Sequence, residues 1–140
     1  MPHALPMLCI DALISVSKTG AEATAFLRSG HILLDIDVIS EVGYIELAAQ
    51  TAGALKGYWD KAAERPIGDG YLAAVQNFTV WGKARLGETL STSVTLLTEL
   101  SGVQLIEAEI RRLPKKTGQN AACSPLASGR LKLFVPETVP

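Results

Sequence analysis

The stretch GYIELAAQTAGALKGYW, from Gly43 to Trp59, constrains the fold of this chain more than any other feature. Between Ile45 and Leu55 its only polar side chains are Glu46, Gln50 and Thr51, and the other residues are Ala, Leu, Ile and Gly. A helix that is apolar on nearly every face is a buried helix. Its many alanines and glycines make it thin, so a surrounding backbone can approach closely. We therefore expect one long buried helix with a sheet curled around it.

Glu46 and Gln50 are four residues apart, which places them one turn apart on the same face of this helix. A carboxylate inside such a helix costs several kcal/mol unless it is neutral or has a partner. Glu46 is therefore the first candidate for a functional residue. The alternative is a carboxylate that a backbone donor satisfies and that has no further role.

The composition excludes some partners. Thirteen Lys and Arg stand against fourteen Asp and Glu, a net charge of −1, without the basic excess that a nucleic-acid-binding protein needs. A length of 140 residues is typical of one domain. Hydrophobic residues make up 48% and charged residues 19%, which favours a subunit interface in addition to a core.

Neither cysteine, Cys9 nor Cys123, has the spacing of a metal or redox motif, so both are interpreted as thiols and no metal or cofactor is expected. The N-terminal residues lack a basic start and contain Pro2, Pro6 and Asp11, unlike a signal peptide. No run reaches the eighteen or so apolar residues of a membrane span. We expect a cytoplasmic protein without a membrane span.

The remaining elements follow from turn residues and strand composition. Residues 8–17 and 21–27 suggest a hairpin, residues 29–40 an irregular apolar stretch, and Ser40 the N-cap of the helix, which ends by Pro66. Four later segments are rich in strand-forming residues, and we predict an antiparallel meander: 71–81, 89–98, 103–113 and 127–135. A hairpin, a long helix and a meander together indicate an α+β domain.

Several motifs follow in the order seen in one known family. They are Pro2-His3, Pro6 and Met7–Asp11 at the N-terminus, Glu46–Gly53 in the helix, then Tyr71-Leu72-Ala73, Asn77 and Leu86-Gly87-Glu88. On these motifs the chain resembles the 3-hydroxyacyl-[acyl carrier protein] dehydratases, which have the hotdog fold. The family's G-H-F-P-G and P-G-V motifs are replaced here, by Gly30-His31-Ile32 and Ser40-Glu41-Val42. The resemblance is therefore to a divergent member.

The resemblance implies that residues 1–140 form a single hotdog domain, an antiparallel sheet wrapped around one long buried helix. It implies that His31 removes a proton alpha to a thioester carbonyl and that Glu46 protonates the departing 3-hydroxyl. Gln50, Gly43 and Gly53 would contact the substrate, with Gly43 partly replacing the missing glycines. The implied substrate is an acyl-ACP or acyl-CoA thioester of fatty acid or polyketide biosynthesis, and the implied assembly is a homodimer whose subunits share each active site.

Two alternatives remain open. One is a thioesterase of the same fold, in which Glu46 activates water and His31 is not needed. The other is a catalytically inert subunit that binds acyl chains or partners a competent paralogue, which the replaced motifs favour.

Overall fold

The protein is described here from a computed structural model, which covers residues 9–64, 71–114 and 125–134. The elements in chain order are β1 (Ala12–Val16), β2 (Gly20–Phe26), β3 (Leu34–Asp35), β4 (Val38–Ile39), α1 (Glu41–Ala62), β5 (Tyr71–Val80), β6 (Thr89–Leu100), β7 (Val103–Arg112) and β8 (Pro125–Phe134). The predictions that concern Pro2, His3, Pro6, Pro66 and Cys123 lie outside the described residues.

The central helix begins where the sequence predicted. Ser40 has an extended backbone and its hydroxyl accepts the N–H of Gly43, while Glu41 places a negative charge in the first turn. The helix is 22 residues long and ends at Ala62. One face is buried against the sheet. In the single chain the opposite face is exposed at Val42, Gly53 and Tyr58. The expectation of a helix that is buried on nearly every face is therefore wrong for the single chain.

Six strands form one antiparallel sheet in the order β1-β2-β6-β7-β8-β5. The hairpin β1-β2 and the meander β6-β7-β8 are confirmed. The prediction that β5 belongs to the same meander is wrong, because β5 pairs with β8 at the far edge. Between β5 and β6 the chain passes the N-terminal end of α1, where the Tyr44 hydroxyl donates to the Gly82 carbonyl at 2.8 Å and accepts the Ala84 N–H at 2.8 Å. This crossing brings β6 beside β2 instead.

The core lies between α1 and the helix-facing side of the sheet. On β2 that side carries Ala21, Ala23 and Ala25, which alternate with more accessible polar residues. Alanines at these positions let the helix approach the sheet closely. The core continues along the helix through two clusters of buried residues, one at each half, and Phe78 packs against both.

An irregularity in β5 directs Phe78 into this core. The pairing of β5 with β8 shifts register between Gln76 and Thr79, and Asn77 there has a positive φ of 50°. Gly129 on β8 lies so close that an added Cβ would be 2.5 Å from the Phe78 Cα. Any side chain at position 129 would therefore push β5 away from β8.

Candidate functional site

Glu46 and Gln50 lie on α1, one turn apart, and both are half-buried. The side-chain carbonyl of Gln50 accepts the backbone N–H of Cys9 at 2.6 Å. These residues are 41 positions apart, so the bond fixes the segment before β1 against the helix. Gln50 thus satisfies the backbone donor of Cys9.

His31, in the irregular stretch before β3, is only 9% exposed. Its Nε2 lies 3.1 Å from the carbonyl oxygen of Cys9, and its Nδ1 accepts the backbone N–H of Leu33 at 3.1 Å. Because a backbone N–H can only donate, Nδ1 carries no proton. The proton is therefore on Nε2, which donates to Cys9. Both nitrogens of the neutral ring have partners within the chain.

Cys9 is the residue at which these contacts meet. Its thiol is buried, and burial, followed by the charge of Glu46, raises its pKa to about 11. Glu46 lies on α1 one helical turn before Gln50, the residue that bonds this segment. The sequence interpretation missed this role, since Cys9 contributes its backbone. The only signal in the sequence was its place in the apolar N-terminal segment Met7–Asp11.

Asp11 fixes the other end of this segment. Its backbone N–H donates to Thr24 at 2.7 Å, and its carboxylate accepts the Phe26 N–H at 2.6 Å and the Arg28 guanidinium at 2.9 Å. Partial burial alone would raise the pKa of Asp11, but the hydrogen bonds from Phe26 and Arg28, with the charge of Arg28, lower it. Asp11 is therefore a stable anion close to His31.

The other two predicted site residues lie elsewhere. The N–H of Gly43 is used in the helix cap, 2.9 Å from the carbonyl oxygen and 3.2 Å from the hydroxyl of Ser40. Its Cα faces Ile39, where an added Cβ would be 2.6 Å from a side-chain carbon. Gly53 lies on the exposed face of α1, and an added Cβ would meet nothing within 4 Å. The structure brings His31 and Gln50 together at Cys9, with Glu46 one turn from Gln50, but it does not bring Gly43 or Gly53 there.

A cavity of about 360 Å³ lies at the N-terminal end of α1. Tyr44 and Ser40 line it together with two acidic residues, Asp35 and Glu41, and two basic residues, Lys83 and Arg85. Its charged groups of both signs distinguish it from the apolar surroundings of Cys9.

Within residues 9–64, 71–114 and 125–134, no three His, Cys, Asp or Glu side chains are grouped so that they could hold a metal ion. The helix in the described part of the chain does not combine the length and apolar character needed to cross a membrane.

Comparison with known proteins gives one family match and many structural matches. The family model of the ApeP-like proteins, described as ApeP dehydratase, matches residues 1–140. No curated protein matches the chain. A solved chain of the dehydratase heterocomplex ApeI:P from Xenorhabdus doucetiae superposes with a TM-score of 0.81 at 21% identity, covering 99% of this chain and 89% of that one.

Two further solved structures are more distant in sequence. Zebra fish thioesterase superfamily member 2 superposes with a TM-score of 0.71 at 12% identity, covering 97% of this chain and 88% of that one. The protein smu.793 from Streptococcus mutans UA159, bound to acetyl CoA, gives 0.66 at 12% identity, covering 91% and 90%. Together with the six-stranded antiparallel sheet and its single long helix, these matches confirm the predicted hotdog fold.

Proposed function

Because the chain belongs to the ApeP-like dehydratase family, we propose that it handles acyl thioesters and dehydrates a 3-hydroxyacyl thioester to the trans-2-enoyl thioester. The resemblance to dehydratases of the hotdog fold is confirmed by that membership. The reaction itself is the proposal. The observation that carries it is that His31 and Gln50 both bond the backbone of Cys9, with Glu46 one turn from Gln50 on α1.

Dehydration needs a base at C2 and an acid at the 3-hydroxyl. In the proposed mechanism His31 takes the proton from C2, and the electron pair of that C–H bond forms the C2=C3 double bond. Glu46 gives its proton to the 3-hydroxyl, which leaves as water when the C3–O bond breaks. Proton exchange with the solvent then returns His31 and Glu46 to their starting states.

This mechanism requires His31 to change one contact. Its unprotonated nitrogen, Nδ1, accepts the Leu33 N–H and therefore offers no free lone pair to the substrate. A rotation of the ring, or a movement of the turn that contains Leu33, has to release it before it can act as a base. Substrate binding or subunit association would supply that change.

We also propose that the substrate is carried on acyl carrier protein or coenzyme A and that the chain acts as a homodimer. The relative from Streptococcus mutans is bound to acetyl CoA, which supports a thioester ligand. Support for a dimer comes from β5, a ten-residue edge strand with exposed Leu72 and Val75. A long apolar edge strand offers unpaired backbone groups to another chain.

A second function is favoured by the His31 contacts and by the replaced motifs of the sequence. With both ring nitrogens engaged inside its own chain, His31 can serve as a structural residue. The chain would then be a partner subunit that completes the active site of a related competent chain. One structural relative belongs to a dehydratase heterocomplex, and this supports the second candidate.

The test follows the enoyl absorbance of short 3-hydroxyacyl and enoyl thioesters, on both carriers, for the wild type and three variants. Glu46→Gln and His31→Asn should each lower turnover about 10²- to 10⁴-fold, because each removes one proton-transfer group. Asn is chosen because its side-chain oxygen can still accept the Leu33 N–H. Glu107→Gln, a change of an exposed carboxylate on β7, is the matched control and should leave turnover unchanged.

The outcomes separate the candidate functions. Wild-type turnover that persists undiminished in His31→Asn contradicts the base role. Thioester hydrolysis that is lost only in Glu46→Gln selects a thioesterase. Absence of turnover with every chain length and carrier, followed by turnover on addition of a related dehydratase chain, selects the partner subunit.

A further inference from the structure

The backbone of Cys9 connects Gln50 to His31 through two hydrogen bonds. The Cys9 N–H donates to the Gln50 side-chain carbonyl at 2.6 Å, and the Cys9 carbonyl accepts from His31 Nε2 at 3.1 Å. The connected residues come from the helix, the segment before β1 and the stretch before β3. Nothing in local sequence would hold them together, because Cys9 is 41 residues from Gln50 and 22 from His31.

The Cys9 carbonyl helps to decide the state of the His31 ring. The Leu33 N–H requires an unprotonated Nδ1, and the Cys9 carbonyl requires a donor at Nε2, so both contacts select the same tautomer. The position of the Cys9 carbonyl in turn depends on the contacts that fix the segment before β1. Gln50 fixes it at Cys9, and Asp11 fixes it two residues later through Phe26 and Arg28.

We infer that Gln50 is a positioning residue for His31, acting through the backbone of Cys9, which keeps the ring in its Nε2-protonated tautomer. This assigns Gln50 a role toward a protein group, in place of the substrate contact expected from the sequence. Its consequence for turnover rests on the proposed function, whereas its consequence for the tautomer of His31 does not.

The decisive experiment reads the ring nitrogens of His31 by ¹⁵N NMR at a pH where the ring is neutral, in a His3→Asn background that leaves His31 as the only histidine. The Nε2-protonated tautomer is expected. Gln50→Leu removes the acceptor and leaves only the Leu33 contact to select the tautomer, so the Nδ1-protonated form should appear in exchange with the Nε2-protonated one. Gln50→Glu keeps an acceptor of the same length and should retain the tautomer, as should Gln104→Leu in the β6–β7 hairpin.

An unchanged tautomer in a folded Gln50→Leu protein would overturn the inference. So would a shift of equal size in Gln50→Glu, because the acceptor would then not be the cause. If Gln50→Leu does not fold, hydrogen exchange at the Cys9 amide of the wild type decides the matter: protection supports the bond to Gln50, and exchange at the rate of an unstructured amide contradicts it.

Measurements of turnover test whether the position of His31 affects the proposed dehydration. In Gln50→Leu, kcat should fall about 10- to 100-fold with KM unchanged, because a misplaced proton-transfer group slows the chemical step without weakening binding. A shifted tautomer with unchanged kcat would overturn the positioning role. If even the wild type shows no turnover, the proposed function fails, and the tautomer measurement still decides this inference.

Discussion

At the scale of single residues, Cys9 shows that a side chain and its backbone can have unrelated roles. The backbone contacts Gln50 and His31, while the thiol is buried with a pKa raised to about 11 by burial and by Glu46. Thiolate is the reactive form of cysteine, and at pH 8 only about one thiol in a thousand would be ionised. The thiol should therefore be inert in the folded protein.

The measurement uses a Cys123→Ser variant, which leaves Cys9 as its one cysteine, and a chromogenic disulfide reagent at pH 8. Reaction of the Cys9 thiol should be slow in buffer and immediate in denaturant.

The same burial makes the stability of the fold depend on pH. Because folding raises the pKa of Cys9 from 9.0, the folded state keeps the thiol proton to a higher pH than the unfolded state does. The free energy of unfolding should therefore fall as the pH rises from 9 toward 11. Rapid reaction in buffer would contradict the burial of this thiol.

At the scale of elements, Tyr44 joins the start of α1 to the crossing between β5 and β6. Its buried hydroxyl bonds both Gly82 and Ala84, and burial, as the largest cause, raises its pKa. Tyr44→Phe keeps the ring but leaves a half-buried carbonyl and a buried N–H without this partner. We expect a loss of about 1–3 kcal/mol in the free energy of unfolding, measured with urea.

Tyr58→Phe is the matched control, because Tyr58 lies on the same helix with half of its side chain exposed. It should change the free energy of unfolding by no more than about 0.5 kcal/mol. Equal effects of the two substitutions would mean that the Tyr44 hydroxyl does not hold the crossing in place.

At the scale of the whole molecule, the edge strand β5 is the surface through which we propose that two chains associate. Leu72 on this strand is 43% exposed, and Leu97 on β6 is 42% exposed. Leu72→Lys places a charge at the proposed interface, whereas Leu97→Lys makes the same change at a similar exposure elsewhere. Light scattering at micromolar concentration should show a dimer for the wild type and Leu97→Lys, and a monomer for Leu72→Lys.

A wild type that stays monomeric at high concentration would contradict the homodimer. If it dimerises only when a related chain is added, the partner-subunit function is favoured. A dimer that Leu72→Lys leaves intact would place the interface elsewhere than on β5.

Local chemistry determined much of the fold from the sequence alone. Ser40 was recognisable as a helix cap, the Lys18–Gly20 turn as the centre of a hairpin, and the later strands by their composition, because each depends on neighbours in the chain. Glu46 and Gln50 were placed on one helix face by their spacing for the same reason. The hotdog fold itself was identified by resemblance.

Only the tertiary structure decided which distant residues meet. It paired β5 with β8, because the chain between β5 and β6 is held at Tyr44. It also made the backbone of Cys9 the contact between Gln50 and His31, since a backbone N–H and carbonyl carry no side-chain signal in a sequence. Such contacts depend on the arrangement of whole elements, and neither periodicity nor spacing specifies that arrangement.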